Sequence, residues 1–313
     1  MWACFTVKFC SLHREVNCGM HKKTANRTQK LLTLLFIGAF FLFPFSKNCN
    51  SVAEEKENGV AIEISAQNNP YGWQKISGYA TYFNQNEGGR CENIAIAAAL
   101  IDGVTIQGYG EFSFNATVGR RTAEAGFQQA KIIVNGEYVQ GVGGGVCQVS
   151  TTLYNAALKS GLQVTEFHPH SLRVGYVDPS RDAMVSSQSD LKIFNPNAHA
   201  VYLSAKVRNG GIFVSFYGEP TSERYELISQ TVGQIPPPVP IVKEGEEDKV
   251  LRAEKQGIKS ELYLERYVGG KLMERKRLRK DEYRPVQGII VKKVDFTTEK
   301  TRSNDCLFYE KMV

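Results

Sequence analysis

One thiol in this sequence is set up for chemistry. Cys147 follows Gly143, Gly144 and Gly145 and opens the run CQVSTTLYNAAL. A cysteine attacks as the thiolate, and an unperturbed thiol titrates near ~8.5, so a nucleophilic role needs surroundings that favour the anion. The first turn of a helix provides them through unpaired amides and the macrodipole. Glycines just ahead leave a peptide substrate room to approach and free backbone amides to meet a developing oxyanion. The competing reading is a tight backbone turn in a packed core, with Cys147 a small buried hydrophobe.

Acyl transfer by a thiolate also needs a base and a group that orients it. His168 and His170, in HPHS, open the strand-like run LRVGYV, and strand alternation puts both on one side. His170 lies closer to the continuous strand and is the favoured base, with His168 lining the cleft. His199 reads as a turn residue. Asp182, in SRDAMV, begins the next strand-like run and would stand beside the histidine if the two strands formed a hairpin; Asp190 is the alternative. Cys147, His168 and His170 are metal-ligand types, but two histidines one residue apart, with no CxxC and no further cluster, are a weak metal signature. Neither a metal nor a cofactor is expected.

These groups need elements to hold them. Val149, Leu153, Ala156 and Ala157 recur at helical spacing, which predicts a helix from near Cys147 to near Ser160, ended by Gly161. ISGYATYF reads as a strand, CENIAIAAALIDG as a helix from Glu92 to about Ile101, and EFSFN as a short extended segment. AKIIVNGEYVQ carries Asn135-Gly136 between two strand-like runs, a strong hairpin signal. LRVGYV, AMVSS, LKIF, AVYLSAKV and GIFVSFYG read as successive strands, short and rich in β-branched and aromatic residues. The fold class is α+β: residues 74–219 form a mostly antiparallel sheet domain with a central helix carrying the cysteine. Residues 220–245, with GQIPPPVP, read as a Pro-rich semi-rigid linker. Residues 246–298 form a small β-rich domain built on two strands across Gly269-Gly270. Its basic run, ERKRLRK, reads as a solvated strand face or a contact with anionic wall polymer. Residues 299–313 read as a tail, and Cys306 has no assigned role there.

The chain has 313 residues, a soft prior for two domains. Its hydrophobic fraction of 42% and charged fraction of 22% are those of an ordinary globular protein. A net charge of +6 is mildly basic, and with no recognition helix or RNP-like motif it implies no nucleic-acid partner. It suits a membrane surface or anionic cell-wall polymer. Lys22, Lys23, Arg27 and Lys30 precede the apolar run Leu31 to Phe45, the pattern of a secretory signal peptide. Cleavage after Ala53 is expected, with an uncleaved anchor as the alternative; the run is shorter than the ~20 residues of a usual spanning helix. Either way the rest is extracytoplasmic, secreted or membrane-anchored. Met20 fits as the initiator better than Met1. Residues 1–53 are then leader and residues 54–73 a loose linker. Cys91, Cys147 and Cys306 are left in the mature chain, an odd number that does not suit a disulfide scaffold.

FSFNATVGRRTAEAGFQQA, GVGGGVCQVSTTLYNAAL, HPHSLRVGYV and RDAMV, in this order, resemble the VanW family over roughly residues 76–218. The stretch from Leu251 to Val291 resembles more weakly the G-five-type domain, a small β-rich module associated with cell-wall sugar binding or adhesion. VanW takes its name from a glycopeptide-resistance cluster, and some members act as L,D-transpeptidases on peptidoglycan. The resemblance implies that Cys147 attacks a stem peptide at the carbonyl of its third residue, releasing the terminal D-alanine, and that an amine of a second stem peptide resolves the thioester. It implies a substrate-carboxylate contact for Arg121, in GRRT. Gly144, Gly145, Gln148, Ser150, Thr151 and Tyr176 are the other expected substrate contacts. Wall glycan is the expected partner of the C-terminal domain. The chain departs from the family pattern at Phe167, where an arginine is usual, and at Ser180, where a glycine is usual. A non-catalytic wall-binding or resistance accessory protein and a cysteine peptidase acting on stem peptides are the alternative readings.

Overall fold

A computed structural model describes residues 73–293 apart from residue 135. The expected leader, Met20 as initiator, almost all of the 54–73 linker and the 299–313 tail with Cys306 lie outside the described residues. The described chain is rich in strands, most of them antiparallel.

Strands β1 (Gln74–Tyr82), β8 (Val201–Arg208), β9 (Gly211–Gly218) and β2 (Thr105–Ile106) form one antiparallel sheet in the order β1-β9-β8-β2. On β8 and β9 the alternating Leu203, Ala205, Ile212, Val214 and Phe216 are buried. They meet two helices, α1 (Gly88–Ile101) and α3 (Val146–Lys159), which also pack on each other. Helix α1 contributes Ile94, Ala97, Ala98 and Ile101, and α3 contributes Val149, Leu153, Ala156 and Ala157, all within the same core. Both sets repeat at intervals of three and four, so each forms one stripe on its helix.

The ends of α3 are set by glycine. Gly145 is its N-cap with φ 109°. At the other end Gly161 takes φ 74°. Its amide donates to the Leu158 carbonyl and that of Leu162 to the Ala157 carbonyl, the paired bonds of a Schellman stop.

Two smaller sheets flank this core. Strands β3 (Glu111–Ser113), β7 (Lys192–Phe194) and β6 (Gln163–Glu166) are ordered β3-β7-β6, with helix α2 (Phe114–Val118) following β3. The hairpin of β4 (Gln129–Val134) and β5 (Glu137–Val142) turns through Gly136, φ 82°.

Two expectations fail. The segment 220–245 is not a linker throughout: β10 (Glu223–Ile235) is a thirteen-residue strand, paired along its length with β13 (Gly257–Val268), which pairs with β14 (Lys271–Tyr283). Only the proline run breaks it from β11 (Ile241–Gly245), which lies parallel to β15 (Ile289–Lys293), with β12 (Lys249–Arg252) on the other side of β15. LRVGYV and AMVSS do not form strands either, so His170 and Asp182 face each other across an irregular loop rather than a hairpin.

That loop is largely buried, and buried backbone polar groups must find partners. Side chains replace the ladder. Ser150 Oγ donates to the Ala183 carbonyl at 2.7 Å, and Thr151 Oγ1 accepts from the Ala183 amide at 3.0 Å. Asn155 Nδ2 donates to the Arg181 carbonyl at 2.7 Å. From the C-terminal sheet, Ser229 Oγ donates to the Pro179 carbonyl at 2.6 Å and Arg279 Nη1 to the Asp182 carbonyl at 2.7 Å.

Candidate active site

Cys147 is the second residue of α3, so its amide belongs to the first turn, where no intrahelical acceptor exists. Its side chain is partly exposed and lines a cleft of about 1450 Å³. Cys147 Sγ donates to the Val185 carbonyl at 3.4 Å, and His170 lines the same cleft, close enough to the thiol for each to shift the other's titration. Behind it, His170 Nδ1 stands 2.7 Å from Asp182 Oδ2, and that oxygen also accepts from the His170 amide at 2.7 Å. Asp182 is 1% exposed and His170 6%. The three side chains form a chain from buried carboxylate to cleft-facing thiol.

Burial opposes charge on all three, yet the pairings win. Burial pushes the Cys147 thiol up, but the hydrogen bond and charge of His170, the backbone of Val185 and the charge of Arg121 bring it below its ordinary value. Burial pushes His170 down, while Asp182 and Cys147 raise it to about 9. Burial likewise pushes Asp182 up, and His170, Arg279 and Tyr283 hold it below the usual carboxylate range. The directions agree on a thiolate beside an imidazolium, the reactive form of a cysteine nucleophile.

The other expected residues divide. His168 turns away: its Nε2 is 3.1 Å from Glu166 Oε1 and it does not line the cleft. Asp190 is also elsewhere, accepting from Ser113 Oγ at 2.5 Å and from the Asn115 amide at 2.8 Å. His199 lies exposed between β7 and β8. Arg121 lines the cleft within electrostatic reach of Cys147, its Nη1 bonded to Asn115 Oδ1 at 2.8 Å. Tyr176 lines it too, and burial, with the charge of Cys147 next, holds its hydroxyl protonated far above the usual range. Ser150 and Thr151 are fully buried and bind the Ala183 backbone rather than lining the cleft. Gln148 reaches the cleft wall, but its side chain is occupied: Oε1 accepts from Arg90, and Nε2 donates to Thr81 and the Tyr82 carbonyl. These three hold α3 in place.

The glycines both clear space and permit packing. Gly143, Gly144 and Gly145 all line the cleft. Gly143 and Gly145 take φ 87° and 109°, the left-handed region costly for other residues. A Cβ on Gly144 would lie 2.6 Å from the Lys131 carbonyl oxygen, so the bare backbone admits β4.

Residues that composition did not single out complete the site. Arg90, Arg120, Lys131 and Arg284 join Arg121 around the cleft, against one acid, Glu87. Tyr283 and Arg279 of β14 bind Asp182. Their signal was the alternation of Arg279, Asp281 and Tyr283 along one side of that strand, hidden inside a run dominated by basic residues. Among the described residues no group of three or more His, Cys, Asp or Glu side chains is placed to hold a metal ion, and no helix is long and apolar enough to cross a membrane.

A β-rich fold that places a helix-start cysteine, a histidine and a buried aspartate at the floor of a basic cleft defines a protein with a candidate thiol active site. Residues 89–217 match the family model described as VanW like protein, and this stretch of the chain is a VanW-like domain. A Bacillus subtilis (strain 168) protein named uncharacterized protein YoaR is 38% identical over 165 residues, covering 52% of this chain and 54% of its own length. The chain thus spans about half of that relative. Among solved structures, HP0197-G5 matches at 19% identity over 22% of this chain and 93% of its own, with a TM-score of 0.14. The IgA1 protease G5 domain matches at 20% identity over 23% of this chain and 88% of its own, with a TM-score of 0.17.

Proposed function

We propose that this is an exported cell-wall protein whose Cys147 is the nucleophile of an L,D-transpeptidase-type acyl transfer on peptidoglycan stem peptides. The observation that carries the reading is the Asp182–His170–Cys147 chain opening into a cleft lined by cations. The thiolate adds to the carbonyl of the third stem residue. His170 gives its proton to the departing amine, the C–N bond breaks, and D-alanine leaves with the thioester on Cys147. An amine of a second stem peptide, its proton taken by His170, attacks the thioester; a new amide forms and the thiol is restored. The basic cleft suits the free carboxylates such peptides carry. The wall places the substrate on the extracytoplasmic side, and the C-terminal strands are the candidate contact with wall glycan.

The test is incubation of the full chain with a muropeptide bearing a tetrapeptide stem, followed by mass spectrometry. The expected result is an acyl adduct on Cys147 with loss of D-alanine, then a crosslinked dimer. Shortened monomer alone would make the protein a peptidase with the same residues. Absence of any adduct, with no change on Cys147→Ala, would overturn the catalytic reading in favour of a wall-binding accessory protein.

A further inference from the structure

Asp182 sits on a loop without a sheet ladder, yet its carboxylate is held at both oxygens. Oδ2 faces His170. Oδ1 accepts the hydroxyl proton of Tyr283, and Arg279 Nη2 lies 3.6 Å from the same oxygen. Arg279 also donates to the Asp182 carbonyl at 2.7 Å and is itself fixed by Asp281 Oδ2 at 2.6 Å. The Tyr283 hydroxyl accepts from the Ser180 amide at 2.7 Å, tying it to the same loop. Tyr283 is 1% exposed and Arg279 6%. Both belong to β14, at the edge of the β10-β13-β14 sheet, whose strand β10 packs on α3.

A buried carboxylate stays ionised only where donors and cations offset its desolvation. His170 supplies its ring and its backbone amide, both at Oδ2, and the ring needs a fixed carboxylate to keep its second nitrogen aimed at the thiol. We propose that Tyr283 and Arg279 are positioning residues of the thiol site: by fixing the Asp182 carboxylate they orient His170, so that the C-terminal sheet completes the nucleophile carried by α3. This rests on the reading of Cys147 as a nucleophile. The ionisable groups around Asp182 are His170, Arg279 and Tyr283, with Asp281 and Tyr154 behind Arg279. Those around Cys147 are His170, Arg121 and Tyr176. Neither substitution below removes any group that touches the thiol.

The experiment is the pH dependence of Cys147 alkylation by iodoacetamide in the full chain, read by peptide mass mapping, which separates Cys147 from Cys91. Tyr283→Phe and Arg279→Met should raise the midpoint by about one pH unit, a roughly tenfold slower reaction below it. Arg279→Lys, which keeps the charge, should recover part of the shift. Ser260→Ala removes the 2.7 Å contact between Ser260 Oγ and Ser180 Oγ without touching the carboxylate, and should leave the midpoint in place. Tyr283→Phe removes a single oxygen and decides the matter if Arg279→Met does not fold. Folded Tyr283→Phe with the wild-type midpoint overturns the proposal, as does an equal shift in Ser260→Ala, which would mark general loosening. A wild-type midpoint at the ordinary thiol value would instead sink the nucleophile reading itself.

Discussion

Arg279 sets its guanidinium 4.6 Å from the centroid of the Phe167 ring and 5.8 Å from that of Tyr154. Phe167 is one of the two positions read from the sequence as departures from the pattern the resemblance implies. Its ring faces Arg279 of β14. The second departure is similar in kind. Ser180, the other such position, has φ 62° and is fully buried. Its strain is offset locally by the Tyr283 hydroxyl on its amide and by Ser260 on its side chain. Both departures therefore face the C-terminal sheet.

Phe167→Arg should destabilise the protein. It would replace a ring that stacks on Arg279 with a second guanidinium in the same place, losing a cation–π contact of ~0.5–2 kcal/mol and adding like-charge repulsion. A urea titration should show a loss of roughly 2 kcal/mol. Adding Arg279→Met should recover the repulsive part, so the double-mutant cycle should be strongly non-additive. Additive losses would mean the two side chains do not interact.

His170→Asn should move the alkylation midpoint of Cys147 upward. The imidazolium is the main influence lowering the thiol, and burial then acts unopposed except by Arg121 and the Val185 backbone. The linkage has a matching sign. His170 is raised in the folded protein to about 9, so its stabilising charge is fully present below its unfolded value of ~6.5 and lost as pH rises through about 9. Cys147 is lowered, so its contribution is present above the unfolded thiol value and lost as pH falls through the folded one. The His170 part of the wild-type advantage over His170→Asn should therefore be full on the acid side and fade as pH rises through about 9, while the Cys147 part remains on the alkaline side. Chemical denaturation across this range checks the sign; a flat difference would mean no ion pair forms.

The β-rich, antiparallel character was readable because its strands carry period-two apolar patterns, Leu203, Ala205, Ile212, Val214 and Phe216 among them. The β4–β5 hairpin was readable from Asn-Gly alone. Cys147, His170 and Asp182 could be nominated by residue type, but not the manner of their meeting. LRVGYV and AMVSS have strand composition, and only the side chains of α3 and β14 that take up their backbone groups explain why no ladder forms. Gln148, Ser150 and Thr151 were expected to be substrate contacts because helical periodicity does not say what covers a face. Arg279 and Tyr283 were hidden for the opposite reason: a run of charges reads as solvent-facing, and the partner that buries two of its members lies about a hundred residues away.

Gly144→Ala should disturb the cleft wall rather than the helix. The new methyl would meet the Lys131 carbonyl oxygen at 2.6 Å and the carbonyl carbon and Cβ of Ala130 at 2.8 Å. Most of these are backbone atoms, which do not step aside as a flexible side chain does, so overpacking of ~1–3 kcal/mol is expected. At Gly136 a Cβ meets nothing within 4 Å, but φ is +82°, so Gly136→Ala should cost only the ~1–2 kcal/mol of a left-handed alanine. Thermal unfolding ranks the two. Cys147 alkylation should change in Gly144→Ala alone, since only that substitution pushes on the cleft.

Thr151→Val tests whether α3 holds the active-site loop through hydrogen bonds or through shape. The two side chains are close in volume, so packing against the core is nearly conserved and the change removes essentially one hydroxyl. That hydroxyl accepts from the Ala183 amide at 3.0 Å. The Ala183 amide is buried, and the loop has no strand partner to offer instead, so the loss should be the full ~1–3 kcal/mol of an unsatisfied donor. Ser150→Ala makes a useful contrast. The Ala183 carbonyl keeps a weaker contact with Thr151 Oγ1 at 3.4 Å, so one acceptor bond is lost but the acceptor is not stranded. Denaturant titration should therefore place Thr151→Val below Ser150→Ala in stability. Because Ala183 follows Asp182 directly, Thr151→Val should also slow Cys147 alkylation near neutral pH more than Ser150→Ala does. Equal stabilities and unchanged alkylation in both would show that the loop keeps its shape without these bonds and that the carboxylate is placed by β14 alone.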